Sequence, residues 1–155
     1  MTIEVQNMEM IKRFFDEVWN NGREEAIDEL YVVGGEAHGL GEDFKNGPEA
    51  FKQFHQLIHA TCTDIRVVIG DMLAAGDRVA IRASVYLTHK ATGKALVLNG
   101  GGFMTVANGQ IVQAWNGRDF LGMLAQLGTL PENALVHSLS IEQKEKPAGL
   151  KARRV

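Results

Sequence analysis

The stretch Val79-Ala80-Ile81-Arg82-Ala83-Ser84-Val85-Tyr86-Leu87-Thr88 determines the architecture of this chain. Aliphatic side chains occupy its odd-numbered positions, and the even-numbered positions carry Ala, Arg, Ser, Tyr and Thr. A period of two is typical of a β-strand that packs one face on a core and turns the other outward. The stretch therefore predicts a strand that separates an interior from an exterior surface.

Three further strands surround this one and predict an antiparallel meander. Residues 65–69 alternate in the same way, and residues 94–107 and 110–115 follow it. Asn108-Gly109 is typical of a tight hairpin turn. Gly100-Gly101-Gly102 would weaken a flat strand, so it predicts a sharp bend or a bulge, as in a sheet that curls around a cavity.

Helical patterns come before the strands. Residues 8–19 and 24–31 space their apolar side chains for two helices. Asn46-Gly47-Pro48 opens a third, because proline is tolerated in a first turn. Four glycines within residues 34–41 predict a loop or a broken strand. Helices on one side of an antiparallel sheet make an α+β domain.

Length, charge and cysteine usage narrow the class of protein. A chain of 155 residues suits one domain, predicted over residues 1–131, with residues 132–155 as a tail that is mobile or crosses to a partner subunit. A net charge of -3 argues against a nucleic-acid partner. No apolar run approaches the roughly 20 residues that cross a membrane, and no signal peptide is visible. Cys62 is the only cysteine, so a cytoplasmic location is the default expectation.

Asp119 is the first candidate for chemistry. It lies between the strand that ends at Trp115 and an apolar helix that closes at Gly128. A lone carboxylate in apolar surroundings is a candidate general acid or base, because burial disfavours its charged form. The alternative interpretation is an N-cap for the helix, a role that aspartate fills well.

The remaining candidates carry a guanidinium or an imidazole. Arg82 is predicted either to hold a substrate oxygen at a pocket wall or to lie on a solvated face or a subunit interface. His38 and His89 are candidate proton carriers near neutral pH, or structural histidines. His55 and His59 stand four apart on the third helix, but the glutamate of zinc proteases is missing, so we expect no metal site.

In their order and spacing, these motifs resemble the SnoaL-like polyketide cyclases, also called ester cyclases, of the nuclear-transport-factor-two-like superfamily. The resemblance covers residues 8–130. It rests on the N-terminal Phe/Trp helix and on His38-Gly39, Asn46-Gly47-Pro48-Glu49-Ala50-Phe51, Gly76-Asp77-Arg78-Val79-Ala80-Ile81-Arg82, Thr88-His89, Asn108-Gly109-Gln110-Ile111-Val112, Trp115, Asp119 and Gln126-Leu127-Gly128.

The resemblance implies a cystatin-like fold or α+β barrel. In it, a curved antiparallel sheet wraps around the N-terminal helices and forms a cone with an internal pocket, usually in a homodimer. It also implies an intramolecular aldol reaction of the lyase or isomerase type, without metal or cofactor. Asp119 would be the general acid or base and His89 its catalytic partner. The predicted substrate-binding residues are His38, Arg82, Tyr86, Trp115, Asn116 and Trp19.

The predicted function is therefore a cofactor-independent cyclase or isomerase acting on a small apolar carbonyl compound. Removal of a proton next to a carbonyl needs a base and a donor for the enolate oxygen. Strand parity places Arg82 and Tyr86 on the face opposite His89, so both sets line one pocket only if the bend intervenes. One alternative is a non-catalytic ligand-binding or dimerisation domain, because one fold hosts many functions. Another is hydrolysis or dehydration in the same pocket.

Overall fold

Helices and a five-stranded sheet make up the computed structural model, which describes residues 1–141. The helices are α1 (Ile3–Phe14), α2 (Glu25–Leu30), α3 (Gly47–Thr61), α4 (Phe120–Leu127) and α5 (Ala134–Ser140). The strands are β1 (Tyr31–His38), β2 (Cys62–Ala75), β3 (Arg78–His89), β4 (Ala95–Ala107) and β5 (Gln110–Arg118). A π-helical turn (Phe15–Asn20) follows α1, and a 3-10 turn (Glu42–Phe44) precedes α3. The predicted α+β class is confirmed.

The sheet is curved and unclosed, with the strand order β1-β5-β4-β3-β2. Strands β2 to β5 form the predicted antiparallel meander. Of the two alternatives for the glycine-rich stretch, the structure shows the broken strand rather than the loop: most of the stretch belongs to β1, which pairs in parallel with β5 and shifts register between Tyr31 and Glu36. The backbone hydrogen bonds of β1 come from a partner some 80 residues away in sequence, which local composition does not reveal.

The inner face of β3 carries the core. Val79, Ile81, Ala83 and Leu87 are buried there, as the alternation predicts. Val79, Ile81 and Ala83 share a core cluster with Phe14 of α1 and Phe51 of α3, whereas Leu87 belongs to a second, smaller cluster. Full burial of one such large apolar side chain contributes about 1.5–3 kcal/mol to folding.

Gly100 and Gly102 mark a close approach between β4 and β5. Cβ atoms added at these positions would meet the backbone carbonyls of Gly117 and Trp115 respectively. The strands therefore pack too tightly for side chains, and only glycine fits. The pairing stays in register through the glycines, and the irregularity between β4 and β5 lies instead at Thr105/Val106.

The bounds of several elements differ from the sequence prediction. Helix α1 begins at Ile3, where the Thr2 side chain accepts a hydrogen bond from the Val5 N–H. Strand β5 continues past Trp115 to Arg118. Helix α5 lies within the predicted tail, and the charged residues 142–146 and 151–154 lie outside the described residues. Between residues 1 and 141, no helix is long and apolar enough to span a membrane.

Candidate ligand pocket

A cavity of about 80 Å³ lies between the helices and the inner face of the sheet. One water molecule needs about 10–15 Å³ of such space, so a small organic group fits. The lining is almost entirely apolar and consists of Phe14, Phe15, Trp19, Tyr31, Leu40, Phe51, Phe54, Ile58, Ile65, Val67, Val85, Leu87, Leu98, Met104, Ile111, Ala114, Asn116, Arg118, Phe120 and Met123.

An aromatic cluster around Phe51 forms the helical wall. The Phe51 ring centroid lies 5.8 Å from that of Phe14, 6.0 Å from that of Trp19 and 5.6 Å from that of Tyr31. The Tyr31 hydroxyl donates to the Glu36 carbonyl at 2.7 Å, and burial raises the pKa of this phenol. The hydroxyl is therefore held as a neutral donor to the backbone, and the surface that this wall presents to the cavity is apolar.

The polar atoms of the opposite wall come from β5. Asn116 and Arg118 follow Ala114 on the inner face, two residues apart. The Asn116 Nδ2 donates to the His38 carbonyl at 3.0 Å. Their register partners on β4 are Gly102 and Gly100, so no side chain of the neighbouring strand stands beside them.

Arg118 is the charged group of the cavity lining. Burial lowers the pKa of its guanidinium, because an apolar environment disfavours the charged form. Its Nη1 makes a long contact of 3.5 Å with the Ala83 carbonyl. Arg118 forms no ion pair with any acid in residues 1–141. The guanidinium therefore offers hydrogen-bond donors and an uncompensated positive charge to a ligand.

Helix α4 covers one end of the cavity through Phe120 and Met123. The Asp119 Oδ1 accepts the Gly122 N–H at 2.9 Å and caps this helix. The Gln126 amide holds its other end, accepting from the Val97 N–H and donating to the Val97 carbonyl, both at 2.8 Å. Asp119 is exposed and lies beside the lining residues rather than among them.

Of the predicted binding residues, Trp19 and Asn116 line the cavity, and four others lie on the outer face of the sheet. Arg82 pairs with Asp71 at 2.6 Å in an exposed ion pair. Tyr86 lies beneath the Arg66 guanidinium, 4.7 Å from ring centroid to Cζ. Strand alternation explains both positions, because the odd-numbered residues of β3 face the core.

Trp115 and His38 stack on each other, with ring centroids 3.9 Å apart. Trp115 is 54% exposed, and the His38 Nε2 lies 2.7 Å from the Glu36 Oε2. The two residues are register partners on adjacent strands, and Trp115 points away from the core because Ala114 before it points inward. Their stacking therefore belongs to the exterior of the sheet.

The predicted catalytic partner His89 lies at the end of β3. Its Nδ1 is 2.9 Å from the Thr92 hydroxyl in the following turn, and it is not among the lining residues. His55 is buried, and its Nε2 lies 2.7 Å from the Val18 carbonyl. No group of three or more potential metal ligands occurs in the described part of the chain.

Sequence reasoning missed Arg118 because it ended the last strand at Trp115. Continued alternation from Ala114 through Asn116 would have placed Arg118 inward. Gly102 and Gly100, which lie opposite Asn116 and Arg118, were a second indication that these side chains face inward, since glycines leave room for long polar side chains.

Comparison with known proteins gives the family. The model of the SnoaL-like polyketide cyclases matches residues 9–127. IdmH from Streptomyces antibioticus, a candidate polyketide cyclase, has 26% identity and a TM-score of 0.70, over 79% of this chain and 99% of its own. A candidate polyketide cyclase from Bacillus cereus has 28% identity and a TM-score of 0.72, over 79% of this chain and 80% of its own.

More distant structures share only the fold. An LEH-like epoxide hydrolase of M. tuberculosis has 14% identity and a TM-score of 0.68, over 89% of this chain and 98% of its own. A protein from Catenulispora acidiphila described as having a ketosteroid isomerase-like fold has 18% identity and a TM-score of 0.67, over 77% of this chain and 92% of its own. No curated protein shows detectable sequence similarity. Because the family model spans most of the chain, the protein belongs to the SnoaL-like polyketide cyclase family.

Proposed function

We propose that the chain is a cyclase- or isomerase-type enzyme that binds a small, largely apolar carbonyl compound in the internal pocket. The observation that carries this proposal is the partly buried guanidinium of Arg118 in a cavity whose lining is otherwise almost entirely apolar. Fixed donors in a dry site stabilise a developing oxyanion more strongly than water does, because they need no reorganisation.

In the proposed reaction, a base removes a proton from the carbon next to a carbonyl, and the electron pair moves onto the oxygen as an enolate. Arg118 and Asn116 supply donors to the substrate oxygens on their wall. In a cyclisation the enolate carbon attacks a second carbonyl of the same molecule, and the resulting alkoxide takes up a proton. Atoms and charge balance without a cofactor.

We assign the base to Asp119. It stands between Arg118 and Phe120, which both line the cavity. Its Oδ1 accepts the Gly122 N–H, and Oδ2 is the proposed proton acceptor. To reach the substrate, the carboxylate has to turn from its capping position toward the cavity.

A second candidate function is non-catalytic binding of the same class of ligand. It is favoured by the position of Asp119, which caps α4 and is exposed. No carboxylate of residues 1–141 is among the lining residues. The two functions share the pocket and differ in whether a proton leaves the bound ketone.

The experiment follows α-proton exchange of 1-tetralone in D₂O by proton NMR. We expect the protein to accelerate exchange, and Arg118→Met to lose about 100-fold or more of that acceleration. Asp119→Asn should also lose it while remaining folded, because asparagine caps helices as well as aspartate. Arg78→Met, an exposed arginine of the same sheet, is the control and should retain it.

One outcome would decide against catalysis, and another would decide against Asp119 as the base. Binding of 1-tetralone without accelerated exchange supports the non-catalytic candidate. Full exchange activity in Asp119→Asn would remove Asp119 from the mechanism and leave Arg118 as the group to explain.

We also propose that two copies pair through the outer face of the sheet. Phe103 and Trp115 are register partners there and are 62% and 54% exposed. Large exposed apolar side chains that meet on one surface mark interaction sites. Sedimentation should show a dimer, and Phe103→Asp should shift it to monomer; a monomeric wild type would reject the pairing.

A further inference from the structure

We infer that Arg118 selects ligands that carry a carboxylate, so that the carbonyl compound which the pocket takes is a small, otherwise apolar keto acid. This inference rests on the proposed function of the pocket and deepens it. It identifies the charge of the molecule that the site is built to take.

Arg118 differs in burial from the other arginines of residues 1–141, which are exposed or pair with an acid. Arg13, Arg23 and Arg82 each form an ion pair with a glutamate or an aspartate, and Arg66 and Arg78 are exposed to water. Arg118 is the more buried group, yet none of the acids in the described residues pairs with it. Water compensates an exposed charge, whereas a buried charge needs a partner.

A neutral ligand does not provide that partner. A ketone or ester oxygen accepts a hydrogen bond from the guanidinium but leaves its positive charge uncompensated in the cavity. A carboxylate accepts two parallel N–H bonds from the planar fork and neutralises the charge at the same time. The remaining lining is aromatic and aliphatic, so the rest of the ligand is apolar.

The neighbouring residues leave room for this contact. Gly100 is the register partner of both Arg118 and Ala83, so no side chain separates the guanidinium from the β3 backbone. The contact of the Nη1 with the Ala83 carbonyl is long at 3.5 Å, and exchanging it for a carboxylate gives up little. Asn116, two residues earlier, would then face the reacting carbonyl of a keto acid.

Tryptophan fluorescence gives a direct readout of the pocket. The chain has two tryptophans, Trp19 in the cavity lining and Trp115 on the outer face. In a Trp115→Phe background, Trp19 reports binding alone. We would titrate this protein at pH 7.5 and constant ionic strength with 3-phenylpropanoate and with its neutral isostere 3-phenylpropanamide.

We expect the carboxylate to bind about tenfold or more tighter than the amide, as buried charge pairs do. Arg118→Met in the same background should abolish or reverse that preference, and Arg118→Lys should restore part of it. Arg78→Met should leave it unchanged. Equal or tighter binding of the amide would overturn the inference while the proposed function stands. If neither probe quenched the fluorescence of Trp19, both the inference and the proposed function would fail.

A second measurement needs no ligand. Removing a partly buried cation that has no acidic partner relieves its desolvation cost, so Arg118→Met should raise the thermal unfolding midpoint of the free protein. A lowered midpoint would show that the folded chain already compensates the guanidinium, which contradicts the inference.

Discussion

The two faces of the sheet differ most where β4 and β5 meet. On the outer face, Phe103 and Trp115 present large exposed rings. On the inner face, Asn116 and Arg118 lie opposite Gly102 and Gly100. The most prominent aromatic pair of these strands thus lies outside the cavity. The polar wall of the pocket is built where the neighbouring strand has no side chains, so glycine was a better guide to this wall than tryptophan.

The largest expected difference between the two faces is in the stability that is lost when a side chain is truncated to alanine. Met104 is 5% exposed and Phe103 is 62% exposed, although they are neighbours on β4. Met104→Ala should lower the free energy of unfolding by about 3 kcal/mol, because it removes buried apolar contacts. Phe103→Ala should change it by less than about 0.5 kcal/mol per monomer. Urea denaturation of both variants at low protein concentration measures this, and equal losses would contradict the assignment of the faces.

Glycine replacement should give the next largest effect. A Cβ at Gly100 would lie 2.8 Å from the Arg118 Cα and closer still to the Gly117 carbonyl oxygen. Gly100→Ala should therefore cost about 2 kcal/mol through overpacking. Gly117→Ala is the matched control, because its Cβ would meet the Gly101 oxygen at an ordinary 3.9 Å. Similar unfolding midpoints for the two variants would show that the close approach is absent.

Helix α4, which covers one end of the cavity, should become less stable when the Gln126 amide is removed. Gln126→Ala removes two hydrogen bonds to Val97 and should cost about 1 kcal/mol, since both groups can bond to water instead. Hydrogen exchange should show faster opening of α4. Gln53→Ala, on an exposed position of α3, is the control, and identical protection of α4 in both variants would disprove the anchoring role.

The smallest effect concerns the pH dependence of stability. Burial, with nearby His55 and Lys90, lowers the pKa of His59 from its usual 6.5. In this pH range the unfolded chain therefore binds a proton at His59 more readily than the folded chain does. As a result, the free energy of unfolding falls as the pH drops from about 7, past 6.5, toward the lower pKa of the folded state. His59→Gln should lose less stability than wild type between pH 7.5 and 5.5. Exposed His137→Gln should behave like wild type, and an unchanged slope in His59→Gln would refute the shift.

Local patterning was sufficient for the elements that pack through their own side chains. The alternation in β3 predicted its buried face, and the spacing of apolar residues predicted α3 and α4. Asp119 was weighed as the cap of α4, and the structure shows this cap. Each of these features depends on residues that are close in sequence, which is why the sequence reveals them.

Features that depend on distant partners could not be predicted in the same way. Strand β1 forms because the edge of β5 accepts it, although Gly34 and Gly35 disfavour a strand. The sequence Asn116-Gly117-Arg118 has weak strand propensity and was interpreted as a loop, yet pairing with the glycines of β4 extends β5 through it. That extension carries Arg118 into the cavity.

A crystal structure of the protein with 1-tetralone bound would test the function of the inner face most directly. We predict that the ring lies against Trp19 and Phe51, with the ketone oxygen within about 3.2 Å of a donor nitrogen of Arg118 or Asn116. A ligand seated on the outer face against Phe103 and Trp115, or in the cavity with its oxygen turned away from both donors, would contradict the proposed role of the pocket.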